Sequence, residues 1–338
     1  MLERFNTFSF KLSILFTLTL FSTLLSLKMG GVENIPFFDV FQFLKGDPKE
    51  GSFILGELRF PRVLLCWMIG PLLATSGLLF QSLTKNPLGS PDILGVNSVG
   101  SFMGIFFILY FSFLPQWLLP FSVFLGGLVC GLLIYFLSQG SQISSTKLAI
   151  IGVAIHILFS SLIQLLISLK SLEIQTALTW LSGSFWGKSL EDLKTPLFLA
   201  LGFLVAPYFF VKKINILIFD DETVKSLGEK LKGIRFFLLI LAVMCSSLAV
   251  SLTGPVGFIA LLAPQMARSL TDFRIQRTLP LSSLLATILL LWADGLGRTL
   301  LSPLEIPVGV VTCFLGAPAF FFILWNKSAY EKRRGLSW

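Results

Sequence analysis

An all-α, polytopic membrane fold follows from three observations. Apolar residues make up 54% of the 338 and charged residues only 13%, and the apolar ones gather into uncharged runs of bilayer-spanning length. A hydrocarbon core of about 30 Å takes about 20 apolar residues per helix, and such runs recur along nearly the whole chain. With a mean hydropathy of +0.85, lipid and not water is the solvent of most of the surface. One integrated membrane domain over residues 1–338 is expected.

Polar and Gly/Pro-rich breaks divide the chain into ten candidate spans, near 11–28, 63–83, 93–113, 118–138, 147–169, 193–211, 235–253, 256–270, 279–301 and 307–325. Arg4 and Lys11 precede the first apolar run, Leu12 to Leu27, in the manner of a signal peptide. No A-x-A-like site follows, which favours an uncleaved span. The eighth span is the weakest, because Pro255 to Leu270 is short, carries Pro264 and holds Arg268 near its end. A short or re-entrant segment packed against protein would look like this.

Lysine and arginine orient the set. With both termini inside, inner segments hold 17 of the 26 basic residues and outer segments 9, which is the cytoplasmic excess expected of short loops. The inner clusters are Lys212, Lys213, Lys225, Lys230, Lys232 and Arg235, then Arg268, Arg274 and Arg277, then the tail Lys327, Lys332, Arg333 and Arg334. The net charge of +8 is thus spread between apolar runs and forms no single stripe. It reports topology and excludes nucleic-acid binding. Cys66, Cys130, Cys245 and Cys313 all lie inside apolar runs without metal-like spacing, and read as small buried apolar residues.

Three segments stand out as functional. In Leu58-Arg-Phe-Pro-Arg62, two arginines stand three apart at the outer mouth of the second span, and Pro61 suits a first helical turn. The pair either snorkels to lipid phosphate or forms a cationic socket for a docking protein's carboxylate. Asp294 and Arg298 lie four apart near the outer end of the ninth span, as an i,i+4 ion pair would inside a membrane. The same topology puts Arg298 on the face that carries Arg59 and Arg62. The inner loop Phe219 to Gly233 reads as a short amphipathic helix, capped by Asp220 or Asp221 and ended by Gly228 or Gly233. Its apolar face, Val224, Leu227 and Leu231, would lie on the inner leaflet or enter a groove on a cytoplasmic partner.

Together these segments resemble the permeases of ATP-binding-cassette importers for iron-siderophores, haem and cobalamin, from about Leu58 to Leu324. The resemblance is carried by Leu58-Arg-Phe-Pro-Arg62, Gly77-Leu-Leu-Phe-Gln81 and Asn86-Pro-Leu-Gly-Ser-Pro-Asp-Ile-Leu-Gly95. It continues in Trp180-Leu-Ser-Gly-Ser184, Asp221-Glu-Thr-Val-Lys-Ser-Leu-Gly228 and Gly254-Pro-Val-Gly-Phe-Ile-Ala-Leu-Leu-Ala-Pro264. Ala293-Asp294, Arg298, Glu305-Ile-Pro-Val-Gly-Val-Val-Thr312 and Gly316-Ala-Pro318 follow in the family's order.

The resemblance implies a cobalamin-importer-permease-like fold in a bacterial plasma (inner) membrane. It further implies a homodimer of ten-helix subunits with two ATPase subunits beneath and a substrate-binding protein docking outside. By position, Arg59, Arg62 and Arg298 resemble the arginines that receive that protein's acidic residues. Asp221, Glu222, Thr223, Val224, Ser226, Leu227 and Gly228 resemble the helix that couples to the ATPase, within a cytoplasmic loop at 212–235. Residues 170–192 are expected to form an outer loop. ATP and magnesium would sit on the partner; no cofactor or metal is expected on this chain, and it carries no Walker P-loop.

Gln265 stands where the family usually has His, Ala260 where it has Gly, and Val224 where it has Ala, which bears on packing around the eighth span and on the fit to the ATPase. A secondary transporter would carry several intramembrane ionisable groups, and this chain offers few. Its one histidine, His156, reads as a hydrogen-bonded structural residue. No HExxH motif, carboxylate pair or nucleophile with its base suggests an enzyme. The pathway wall is expected to be apolar with scattered polar residues, including Gln81, Gln164 and Gln175. An iron-siderophore is the expected cargo, with haem, cobalamin and a small oxyanion as alternatives.

Overall fold

The computed structural model describes residues 2–30, 35–46, 53–138, 145–170, 174–217, 221–226, 228, 231–271 and 274–334, and all of its regular elements are helices. They run in order as α1 (Leu2–Lys28), α2 (Phe37–Lys45), a π-helical turn (Ile54–Arg59), α3 (Phe60–Thr84), α4 (Val96–Tyr110) and α5 (Leu118–Ser138). Then come α6 (Ser145–Leu169), α7 (Ile174–Leu181), α8 (Leu190–Phe209), α9 (Val211–Ile216) and α10 (Asp221–Ser226). The chain closes with α11 (Leu231–Thr253), α12 (Ile259–Leu270), α13 (Ile275–Thr299) and α14 (Val308–Arg334). Each of the ten expected spans falls on a helix. Among the described residues seven helices are long and apolar enough to cross a membrane, with shorter apolar ones at Val96–Tyr110 and Val308–Ile323.

Helix α3 is the hub. Its apolar window is 83% buried and that of α11 is 78% buried, against 11% for α6 and 17% for α8. Lipid tails are as apolar as leucine, so close backbone approach and not hydrophobicity holds such helices together. Small residues provide it. A Cβ on Gly77 of α3 would lie 1.7 Å from the carbonyl oxygen of Ala260, so α3 and α12 meet backbone to backbone. Gly127 and Gly131, four apart on α5, do the same toward α11, where their Cβ atoms would fall 1.8 Å from Ser247 Oγ and 3.0 Å from Val243 Cγ2.

One local feature differs from the sequence reading and another agrees with it. The helix does not begin at Pro61 but runs back through the π-helical turn, with Phe60 N–H bonded to Leu55 C=O, five residues earlier. Proline removes one donor and its ring crowds the carbonyl four residues back; the wider turn accommodates both. The eighth span is indeed short, twelve residues in α12, and Pro264 lies inside it.

At one end of the bundle three segments distant in sequence clasp each other. Ser184 N–H donates to Thr253 C=O at 2.8 Å, and Gly309 N–H donates to Gly183 C=O at 3.0 Å. Gly183 and Gly254 both adopt positive φ, +69° and +73°. The turn after α7, the turn after α11 and the start of α14 thereby form one unit.

Candidate docking and coupling sites

Helix α1 ends with carbonyls that have no intrahelical donor and a negative end to its dipole. Two arginines from elsewhere in the chain supply both deficits. Arg59 Nη1 donates to the carbonyls of Leu27 at 2.8 Å and Lys28 at 2.7 Å. Arg298 donates from Nη1 to Met29 C=O at 3.1 Å, and from Nη2 to Ser26 C=O at 3.0 Å and Ser26 Oγ at 2.9 Å. Gly30 permits this approach, because a Cβ there would lie 2.0 Å from Arg59 Nη2.

Arg62 completes the cluster through a two-pronged pair with Glu305, Nη1 to Oε2 at 2.9 Å and Nη2 to Oε1 at 3.1 Å. Such a fork-to-fork match is the strongest geometry open to a guanidinium. Asp294 lies between two cations, with Oδ2 at 2.9 Å from Arg298 Nη2 and Oδ1 at 3.6 Å from Arg62 Nη1. The expected i,i+4 pair is therefore present, and it extends into a network. Its sequence signal was legible for Asp294 and Arg298 but not for Glu305, which stands seven residues beyond Arg298 in the following turn.

The three arginines do come together at one end of the bundle, as their assignment to a common docking face requires. They are not open guanidiniums, however: Arg59, Arg62 and Arg298 are 4%, 7% and 5% exposed. The cause is the hydrogen-bonding demand of the α1 carbonyls and of two carboxylates. The outward member is Glu305, whose side chain is 38% exposed.

At the opposite end, the helical segment expected in the inner loop is present as α10. Gly228 ends the segment with φ +79° and open space around it, a left-handed cap that glycine adopts without penalty. Val224 is fully buried in the chain's own core, while Thr223, Ser226 and Gly228 are exposed. The apolar Val224 therefore seats the helix on its own subunit and turns a polar face outward. Leu227 and the side chains of Asp221 and Glu222 lie outside the described residues.

The departures at α12 are accommodated locally. Gln265 Nε2 donates to Pro87 C=O at 2.9 Å and approaches Gln81 Oε1 at 3.4 Å, while Gln81 Nε2 reaches Leu261 C=O at 3.3 Å. The amide of Gln265 thus ties α12 to the turn after α3. Gln81 is 2% exposed and belongs to this contact, so it does not line a pathway wall. Gln164 and Gln175 are exposed. Ser161, Gln164 and Ser168 form a polar strip on the exposed side of α6, at the i, i+3, i+7 spacing of one helix face.

His156 pairs with Ser98 through Nδ1 and Oγ at 2.6 Å, joining α6 to α4. Cys66, Cys130 and Cys245 are buried as expected, whereas Cys313 is exposed on α14. That helix turns part of its apolar surface away from the bundle, so an apolar run did not imply burial within the subunit. Among the described residues no group of three or more His, Cys, Asp or Glu side chains comes together.

A bundle of apolar helices around α3, with a charged network at one end and a short polar-faced helix at the other, defines a polytopic membrane permease. The chain belongs to the FecCD transport family, which matches residues 18–326. It is 38% identical over 304 residues to the Fe(3+) dicitrate transport system permease protein FecD of Escherichia coli, covering 89% of this chain and 93% of that one. Identity to the Fe(3+)-citrate import system permease protein YfmE of Bacillus subtilis is 35%, over 83% and 84% of the two chains. The ferric enterobactin transport system permease protein FepG of Escherichia coli is 33% identical over 88% and 91%. Among solved structures, a metal-chelate type ABC transporter in an inward-facing conformation superposes with a TM-score of 0.82 at 26% identity, over 94% of this chain and 99% of the other. The chain is accordingly a transmembrane permease subunit of an ATP-binding-cassette importer, a multi-pass protein of the bacterial inner membrane and not a catalytic enzyme.

Proposed function

We propose that two copies of this chain form the translocation path for an iron(III)-siderophore-type chelate. A substrate-binding protein delivers the chelate outside, and ATPase subunits that hold ATP and magnesium drive it from the cytoplasmic side. The observation that carries the cargo is the 38% identity, over 93% of its length, to a permease named for ferric dicitrate. Further relatives are named for ferric citrate and ferric enterobactin.

The geometry supports each step of this reading. A polar strip that includes Gln164 and Ser168 lies exposed on the peripheral helix α6. Such a strip is unfavourable against lipid and suits the wall of a water-filled path between two copies. Weak, uncharged contacts there would let a bulky chelate leave once released. Docking is assigned to the end that carries Arg59, Arg62 and Arg298. There, among the described residues, an incoming carboxylate competes with the exposed Glu305 for the fork of Arg62. Coupling is assigned to α10, whose exposed Thr223 and Ser226 would seat in the ATPase so that its closure tilts the attached helices.

Iron-starved cells lacking the chain, offered radioactive iron as the citrate, catecholate or hydroxamate complex, test the cargo. Uptake of one complex is expected to depend on the restored chain. Equal uptake of all three without it, or restored uptake of haem, cobalamin or an oxyanion instead, would sink the iron-chelate assignment.

A further inference from the structure

A cationic pocket and an apolar groove adjoin each other along the seam of α1 and α13, at the end of the bundle opposite the arginine network. The pocket, about 360 Å³, is lined by Thr7, Phe8, Lys11, Leu270, Thr271 and Arg277 among others. The groove, about 500 Å³, is lined by Leu12, Phe16, Trp67, Pro71, Leu284 and Thr287 among others. The two share helix faces. Phe8, Leu12 and Phe16 follow at four-residue spacing on α1, and Arg277, Leu284 and Thr287 follow at i, i+7 and i+10 on α13.

From Phe8 to Phe16 the seam covers about 12 Å, and from Arg277 to Thr287 about 15 Å, at 1.5 Å per residue. That is close to the hydrocarbon depth of one leaflet, about half of 30 Å. Lys11 is exposed and spends one of its three donors on Leu270 C=O at 2.6 Å. Arg277 stands with its guanidinium carbon 5.5 Å over the ring of Phe8. Among the described residues the pocket lining holds these two cations and no carboxylate. In sequence the neighbouring stretch Arg268 to Arg277 has three arginines against Asp272 alone. The basic-residue bias places this end in the cytoplasmic leaflet, where anionic lipids concentrate.

We infer that this seam is a binding site for one anionic phospholipid of the inner leaflet, its phosphate held by Lys11 and Arg277 and an acyl chain lying in the groove beside Trp67. Neither half alone would select a ligand, since basic residues at a membrane surface and apolar crevices are both common. Their continuity at the length of one lipid monolayer specifies a phospholipid and not a soluble anion.

The test uses the full chain reconstituted in bilayers of equal phosphatidylglycerol and phosphatidylcholine, gently extracted, with retained lipid read by native mass spectrometry. The wild type is expected to retain phosphatidylglycerol preferentially. Lys11→Gln with Arg277→Gln should reduce that preference by about fivefold per cation lost. Ser283 also lines the groove, and Ser283→Phe, which fills it and leaves both cations in place, should lower retention of the lipid as a whole. Equal retention of the two lipids by wild type, or a preference that survives the double variant, would overturn the site. So would loss of the bound lipid on adding inorganic phosphate alone while Ser283→Phe has no effect, since the seam would then be a small-anion pocket. Should the double variant fail to elute as a single species, Ser283→Phe decides the question by itself.

Discussion

The arginine network shows how residues proposed for docking also hold the fold together. Arg298 closes the end of α1 and neutralises Asp294, and all of these groups are buried. Removing one partner of a buried pair leaves the other charge uncompensated, at a cost of about 3–5 kcal/mol. Arg298→Ala is therefore expected to lower the thermal stability of the detergent-purified chain sharply. Glu305→Ala should cost clearly less, because that side chain is 38% exposed and Arg62 keeps Asp294 at 3.6 Å. It should instead tighten binding of the substrate-binding protein at low salt by opening Arg62. Equal stability loss in both variants, with no change in docking, would count against this division. The sequence made the ion pair at Asp294 and Arg298 readable, since four-residue spacing in a membrane helix has few other meanings. It could not show that Arg59 and Arg298 meet the end of α1, because that contact joins residues more than 250 positions apart for Arg298.

At the scale of elements, the spans were legible because polar breaks and apolar length are written locally. The packing between them was not. Gly77 against Ala260, and Gly127 and Gly131 against α11, are pairings of small residues that no single run reveals. Helix α10 is a case in between. Its helical stretch and the glycine that ends it were readable, but the direction of its apolar face required Val224 to be located in three dimensions. Because Val224 is buried in its own chain and Thr223 and Ser226 face outward, substitutions should separate folding from coupling. Val224→Asp should destabilise the permease itself, as a charge would enter its core. Thr223→Arg with Ser226→Arg should leave the permease monodisperse while reducing ATPase co-purification. Intact co-purification with the double variant would remove α10 from the contact.

At the scale of the whole molecule, burial divides the helices into a centre around α3 and α11 and a periphery that includes α6 and α8. The periphery must meet lipid, a second copy or water, and chemistry distinguishes these. Phe198 on α8 is 76% exposed among other apolar side chains, as a lipid-facing residue should be. Ser161, Gln164 and Ser168 on α6 are exposed and polar. In the assembled importer, cysteines at these three positions should react with a membrane-impermeant maleimide, and one at Phe198 should not. Equal protection of all four would assign α6 to lipid and leave the path without its proposed wall.

The central claim is that cargo crosses this chain only when ATP is spent by a partner. Its most direct test is uptake of ferric citrate or a ferric siderophore into proteoliposomes holding the chain, its ATPase and the cognate binding protein. Uptake is expected to stop when either ATP or the binding protein is omitted, with ion gradients left intact. Uptake by the chain alone, driven by an ion gradient, would contradict the account.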